Sequence, residues 1–150
     1  MFTDDRSGSM TVEFIAMVPI IVVALTFGFE FGRALWAYDV VSRDVRAAVR
    51  FLSRANPYDA TRQGQATNVA KTGSPSGTTN HFPWTAGATV GYSETAFTSA
   101  QYNVNGFVIT ATANVPITLS FLSMFNSFTG ASVGTGYTLV VSDQARWIGN

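Results

Sequence analysis

Sixteen consecutive residues without a formal charge, Phe14 to Phe29, follow directly on Glu13 and end at Glu30. This run constrains the chain more than any other part of it. Wound as a helix it reaches most of the way across a hydrocarbon layer of about 30 Å. It is slightly short, but Glu30 and Arg33 lie three residues apart and can pair on one helix face. Phe31, Ala34, Leu35 and Trp36 then extend the span into the interface. Glu13 stands at the mouth of the span. An unpartnered charge in lipid costs roughly 2.5–3.5 kcal/mol on insertion scales, so this carboxylate calls for an explanation: a partner, or snorkelling into the headgroups near the helix N-terminus, where the dipole favours it.

From about Met10 to Arg54, only Pro19, Gly28 and Gly32 interrupt a helical pattern. A helix of that span is roughly 65 Å long at about 1.5 Å per residue. Its first part is apolar on all sides, as lipid requires. Pro19 removes a backbone donor in mid-span, which is expected to kink or locally melt the helix. The second part is amphipathic. Ala34, Ala37, Val41, Val45, Ala48 and Leu52 recur at steps of three or four and form one apolar stripe, expected to pack on a globular domain. Arg43, Arg46, Arg50 and Arg54 form a second stripe, facing solvent, lipid headgroups or a neighbouring subunit.

Asn56-Pro57 is expected to end the helix. Little periodicity follows through residue 80, with a short helical turn near Ala60 to Val69 and a flexible loop near 73–80. Gln101 to Val104, a two-residue turn at Asn105-Gly106, and a strand from Phe107 read as a hairpin. Phe107, Ile109, Ala111, Ala113 and Val115 alternate with Val108, Thr110, Thr112 and Asn114, so that strand is half-buried, and Pro116 is expected to stop it. The apolar connection Ile117 to Phe128 is expected to bury itself against the amphipathic helix, the other option being a patch that docks onto another subunit. Gly136 to Ser142 reads as a last strand.

The 150 residues leave room for one small domain beside the long helix. Net charge is zero, so no bulk field favours nucleic acid. Between Lys71 and Asp143 the only formal charge is Glu94, in a stretch rich in Thr, Ser, Asn and Gly, a composition that suits a domain outside the cytoplasm. There is no cysteine, hence no disulfide, thiolate metal site or cysteine nucleophile. His81, the single histidine, sits beside Pro83 and Trp84 and reads as a loop residue. Lys71-Thr72 lacks the glycine that a phosphate loop places before its lysine. No catalytic constellation, metal cluster or cofactor motif emerges, and the expectation is a protein that is not an enzyme and binds no cofactor.

The run Gly8-Ser9-Met10-Thr11-Val12-Glu13-Phe14 before an apolar helix follows the processing-site pattern of prepilins. With Pro19 and Phe29-Glu30-Phe31-Gly32-Arg33-Ala34-Leu35-Trp36, it resembles the TadE-like pilins, minor subunits of the bacterial tight-adherence (Flp-type) pilus. The resemblance is densest over residues 8 to 54. It implies an α+β, pilin-like plan: a long N-terminal transmembrane and amphipathic α-helix packed on a small antiparallel β-sheet domain. Residues 1–8 would be a leader, 9–36 the transmembrane assembly helix, 37–55 its amphipathic continuation, and 56–150 an extracytoplasmic β-rich domain. A prepilin peptidase would cut between Gly8 and Ser9, where an accessible, extended backbone is needed. Glu13 would neutralise the amine freed on an adjoining subunit, with Phe14 beside it in an aromatic position of the family. The implied partners are other pilin subunits, prepilin peptidase, the inner-membrane assembly platform and the lipid bilayer. The implied location is the inner membrane, then the pilus or cell surface.

Two other classes compete. A secreted or membrane-anchored binding module is disfavoured because the leader lacks a basic n-region and Ala34 and Ala37 are spaced by three. A single-pass protein with a cytoplasmic regulatory domain is favoured by charge, since Arg6 alone precedes the span and Arg33, Arg43, Arg46, Arg50 and Arg54 follow it. Dedicated export of a long domain overrides that bias, and the composition of the domain sets the expectation against it.

Overall fold

The computed structural model describes residues 6–99 and 104–148. The elements are α1 (Arg6–Leu52), α2 (Ala60–Thr72), β1 (Thr89–Ser99), β2 (Val104–Thr118), α3 (Ser120–Thr129) and β3 (Gly136–Arg146), an α+β arrangement led by one long helix. The chain divides into two compact units. One holds α1 as far as Ala34 together with Leu119–Thr135; the other holds Leu35–Thr118 and the chain from Gly136 onward.

The second unit carries the core. Ala37, Val41, Val45, Ala48 and Leu52, read as one stripe from their spacing, are fully buried, and Val49 joins them; Ala34 at the head of the stripe is half-buried. They form one cluster with Ala66 and Ala70 of α2 and with Ile109, Ala111, Ala113, Val115 and Ile117 of β2. Period-two alternation in β2 puts these side chains on one face, while Val108, Thr110, Thr112 and Asn114 on the other are half-covered. The sheet is three-stranded and antiparallel in the order β1-β2-β3, with Ala111 opposite both Tyr92 and Asp143. Burial pushes the Tyr92 phenol above its ordinary range, against a lowering hydrogen bond with Thr67.

Local chemistry sets the ends of α2. Asp59 accepts from the Thr61 N–H at 2.8 Å as N-cap, and Gly73 closes the helix at φ 76°, its N–H on the Val69 carbonyl. A full 13-residue helix therefore stands where only a short turn was expected. The Gly/Ser-rich stretch after it is irregular but pinned: Asn68 donates to the Pro75 carbonyl, and the Thr72 hydroxyl donates to the Asn68 carbonyl and accepts from the Ser74 N–H.

Three further expectations are corrected. The helix ends at Leu52, earlier than Asn56-Pro57, with Ser53 and Arg54 in a turn. Asn105-Gly106 is no hairpin turn, because Asn105 pairs with Thr98 and Gly106 with Phe97 inside the β1–β2 ladder. The glycine serves packing: a Cβ there would lie 2.8 Å from the Phe97 ring. Of the expected strand Gln101 to Val104, residues 101–103 lie outside the described residues, and β1, at Thr89–Ser99, takes the partner's place. Nor does Pro116 stop β2, which pairs Pro116 with Thr138 and continues to Thr118. β1 begins opposite Asn114, so at Pro116 β2 has a neighbour on one side only, the kind of edge position where a strand tolerates proline.

Polar clasps tie the loops to α1. Asp44 Oδ2 accepts from Trp84 Nε1 at 2.8 Å and lies 2.9 Å from His81 Nε2, which gives the single histidine a structural place. After β3, Trp147 Nε1 donates to the Ala55 carbonyl and the Ile148 N–H to that of Ser53, fastening the end of the chain to the end of α1.

Asp44→Ala removes the acceptor of a buried indole and is expected to cost about 2 kcal/mol, read as a lowered denaturation midpoint in detergent micelles, with Asp44→Asn retaining part of it. Gly106→Val is expected to cost about 1–3 kcal/mol by overpacking against Phe97. Phe97→Ala in the same chain should recover most of that loss; an unrelieved double variant would contradict the close packing.

Candidate membrane and assembly site

Every described side chain of α1 from Met10 to Leu25 is exposed, including Phe14, Ile15, Ile20 and Leu25, and the helix is long and apolar enough to cross a membrane. Of the kink or local melting expected at Pro19, melting is not found, since α1 stays α-helical through it. Thr26 returns its hydroxyl to the Val22 carbonyl at 2.7 Å, satisfying the one hydroxyl of the apolar run within the helix. Gly8 and Ser9 also lie in α1, so their backbone is helical rather than extended. A single glycine lowers helix stability by about 1 kcal/mol relative to alanine, too little to end a helix this long.

Two carboxylates bracket the apolar run, and the fold treats them differently. Glu13 is exposed and has no hydrogen bond or ion pair among the described residues. Glu30 is only 8% exposed. Its Oε2 accepts from Arg33 Nη2 at 3.0 Å, and its Oε1 accepts from the backbone N–H of Ser120, also at 3.0 Å. Ser120 is the first residue of α3, whose N-cap position is held by Leu119, a residue with no side-chain acceptor. The carboxylate of Glu30 thus caps α3 from outside, where the partial positive charge of the helix end favours it. Sequence reasoning found the Arg33 partner from its spacing of three. It missed the Ser120 partner, ninety residues away; the available clue was an apolar residue at a helix N-cap, which obliges an acceptor from elsewhere.

Of the apolar connection, Ile117 joins the core cluster beside the amphipathic stripe as expected, whereas the rest is a helix from Ser120 and packs elsewhere. Phe121 of α3 meets Phe27 edge-on, with ring centroids 6.1 Å apart, and Phe27, Glu30, Leu119, Phe121 and Leu122 line a small cavity of about 50 Å³. α3 belongs with the apolar half of α1 rather than the amphipathic half. There the Ser120 N–H finds an acceptor in Glu30, whose charge the helix end favours.

The arginine stripe divides. Arg43 pairs with Asp39 one turn earlier on α1, and Arg46 reaches Asp143 of β3 at 3.3 Å. Arg50 and Arg54 line a groove of about 930 Å³ with Arg62 of α2, Asn56 and Asp59. Arg62, which spacing along α1 could not reveal, is brought there by the fold of α2.

No curated protein and no solved structure matches the chain. Residues 8–50, which run from Gly8 through Glu13, Pro19, Glu30 and Arg33 to Arg50, match the family described as TadE-like protein, and this segment with its long apolar helix fits a pilus-related membrane protein.

Proposed function

We propose that the chain is a non-enzymatic minor pilin precursor of a tight-adherence pilus, held in the bacterial inner membrane by α1, cut after Gly8 by a prepilin peptidase and assembled through its apolar helix. The carrying observation is the contrast between the two carboxylates: Glu30 is satisfied inside its own chain, whereas Glu13 is exposed without a partner at the other end of the same apolar run. Cutting after Gly8 creates an amine at Ser9. When subunits pack side by side, Glu13 of one meets the new amine of the next, and the cost of a lone charge in lipid is removed from both. Assembly is thereby coupled to processing, since an uncut chain has no amine at that depth.

The helical backbone at Gly8 fits a cut made after local fraying. The site lies near the start of the described part of α1, and glycine weakens the helix there. Phe14, 66% exposed beside Glu13, supplies apolar contact area for a neighbouring helix. The groove of Arg50, Arg54 and Arg62 offers cations to an acidic side chain of an adjoining subunit or to lipid headgroups. The hydroxyl-rich composition of the sheet domain supports its placement on the periplasmic side.

Mass spectrometry of native protein should find Ser9 at the mature N-terminus, and Gly8→Phe should accumulate uncut precursor; a mature-sized band from that variant would remove the cleavage assignment. Glu13→Ala should insert normally yet enter pili several-fold less, and Glu13→Gln, isosteric but neutral, should share the defect. Normal incorporation of both would contradict the neutralisation step.

A further inference from the structure

We propose that α3 is an interfacial foot: an amphipathic helix whose open apolar face lies in the boundary layer of the bilayer that α1 crosses. The seventeen residues from Leu119 to Thr135 carry no formal charge. At about 100° per residue, Phe121, Leu122, Met124 and Phe125 fall on one side of α3, and Ser120, Ser123, Asn126 and Ser127 on the other. Phe121 and Leu122 are half-buried, whereas Met124 and Phe125 remain 49% and 41% exposed. The apolar face is thus only partly covered, and what remains adjoins the exposed apolar surface of α1 within the same unit.

Depth identifies the occupant. Sixteen uncharged residues span about 24 Å, some 6 Å less than a typical hydrocarbon layer. The deficit is about one helical turn, so the layer reaches past Phe29 to the level of Glu30 and Arg33. That is where α3 is fastened, by Phe27 to Phe121 and by Glu30 to Ser120. A carboxylate at that level must be shielded, and Arg33 and the start of α3 shield it. The excursion is also closed on itself. Leu119 N–H donates to the Thr135 carbonyl, Gly130 N–H to the Asn126 carbonyl, and the Asn126 side chain exchanges hydrogen bonds with the backbone of Val133. These bonds satisfy part of its backbone internally as the apolar face enters lipid. Such helices bury their apolar side about 5–10 Å into the headgroup and acyl boundary. With hydroxyls and amides rather than lysines on its polar face, α3 binds by apolar burial, independent of lipid charge.

The chain has no cysteine, so single-cysteine variants of the full-length protein test this directly. Val22→Cys, Met124→Cys and Ser127→Cys are each labelled with an environment-sensitive fluorophore. They are reconstituted at low protein density in phosphatidylcholine vesicles and quenched with brominated lipid or with aqueous iodide. The label at Met124 should be quenched several-fold more by brominated lipid than the label at Ser127, with the reverse order for iodide and the same ratios when phosphatidylglycerol is added. Equal iodide quenching at the two positions would overturn the proposal, as would protection of Met124 from both quenchers that grows with protein density, the mark of a second copy on that face. Val22 separates the failures. Lipid quenching at Val22 without it at Met124 removes the foot alone, whereas absence at Val22 removes the membrane span and the foot together.

Discussion

The Glu30 carboxylate is the interaction on which the apolar half of the chain depends. It stands where the uncharged run ends, it is nearly sealed from solvent, and it serves two groups with unmet needs: a guanidinium three residues on and a helix start with no cap of its own. Buried charge is tolerated only when it is paired and hydrogen-bonded. Here the pairing does structural work as well, since it fastens a seventeen-residue excursion between β2 and β3 to the helix that carries the TadE-like match. Glu13 presents the opposite case, a carboxylate on the same helix whose needs nothing among the described residues meets. One helix therefore carries a carboxylate satisfied within the fold and, at Glu13, an exposed carboxylate without a partner among the described residues.

The other half of the chain is built on ordinary hydrophobic burial. Alanines share the core between helices and sheet with larger aliphatic residues: Ala37, Ala48, Ala66, Ala70, Ala111 and Ala113 are all fully buried. Alanines let backbones approach closely but bury little area each, so each contributes modestly to stability. Side-chain clasps supplement such a core, and they are present at Asp44 with Trp84 and at Trp147 with the Ala55 carbonyl. With no cysteine in the chain, no disulfide adds to these contacts.

What was legible in the sequence is what period and composition encode. The apolar stripe of α1 and the alternation of β2 each rest on five or more residues in register, and both appear as expected. The Glu30–Arg33 pair follows from a spacing of three. The misread features depend on contacts distant in sequence. Gly106 resembles a turn glycine until Phe97 is placed across from it. Pro116 resembles a strand terminator until β1 is seen to start opposite Asn114. The Ile117 to Phe128 segment is apolar in a way that period alone cannot assign to either half of α1, and a hydrogen bond ninety residues long decides it. Arginines at regular spacing suggest one surface, whereas Asp39 and Asp143 claim two of them and α2 adds a third to the remaining pair.

Glu13 is proposed to find its partner on another molecule. Zero-length carbodiimide cross-linking of purified pili, with peptide mapping by mass spectrometry, tests this most directly. The predicted product joins the Glu13 carboxylate of this chain to the N-terminal amine of a different subunit. Glu13 joined only to the amine of its own chain, or left unmodified in intact pili, would contradict the account.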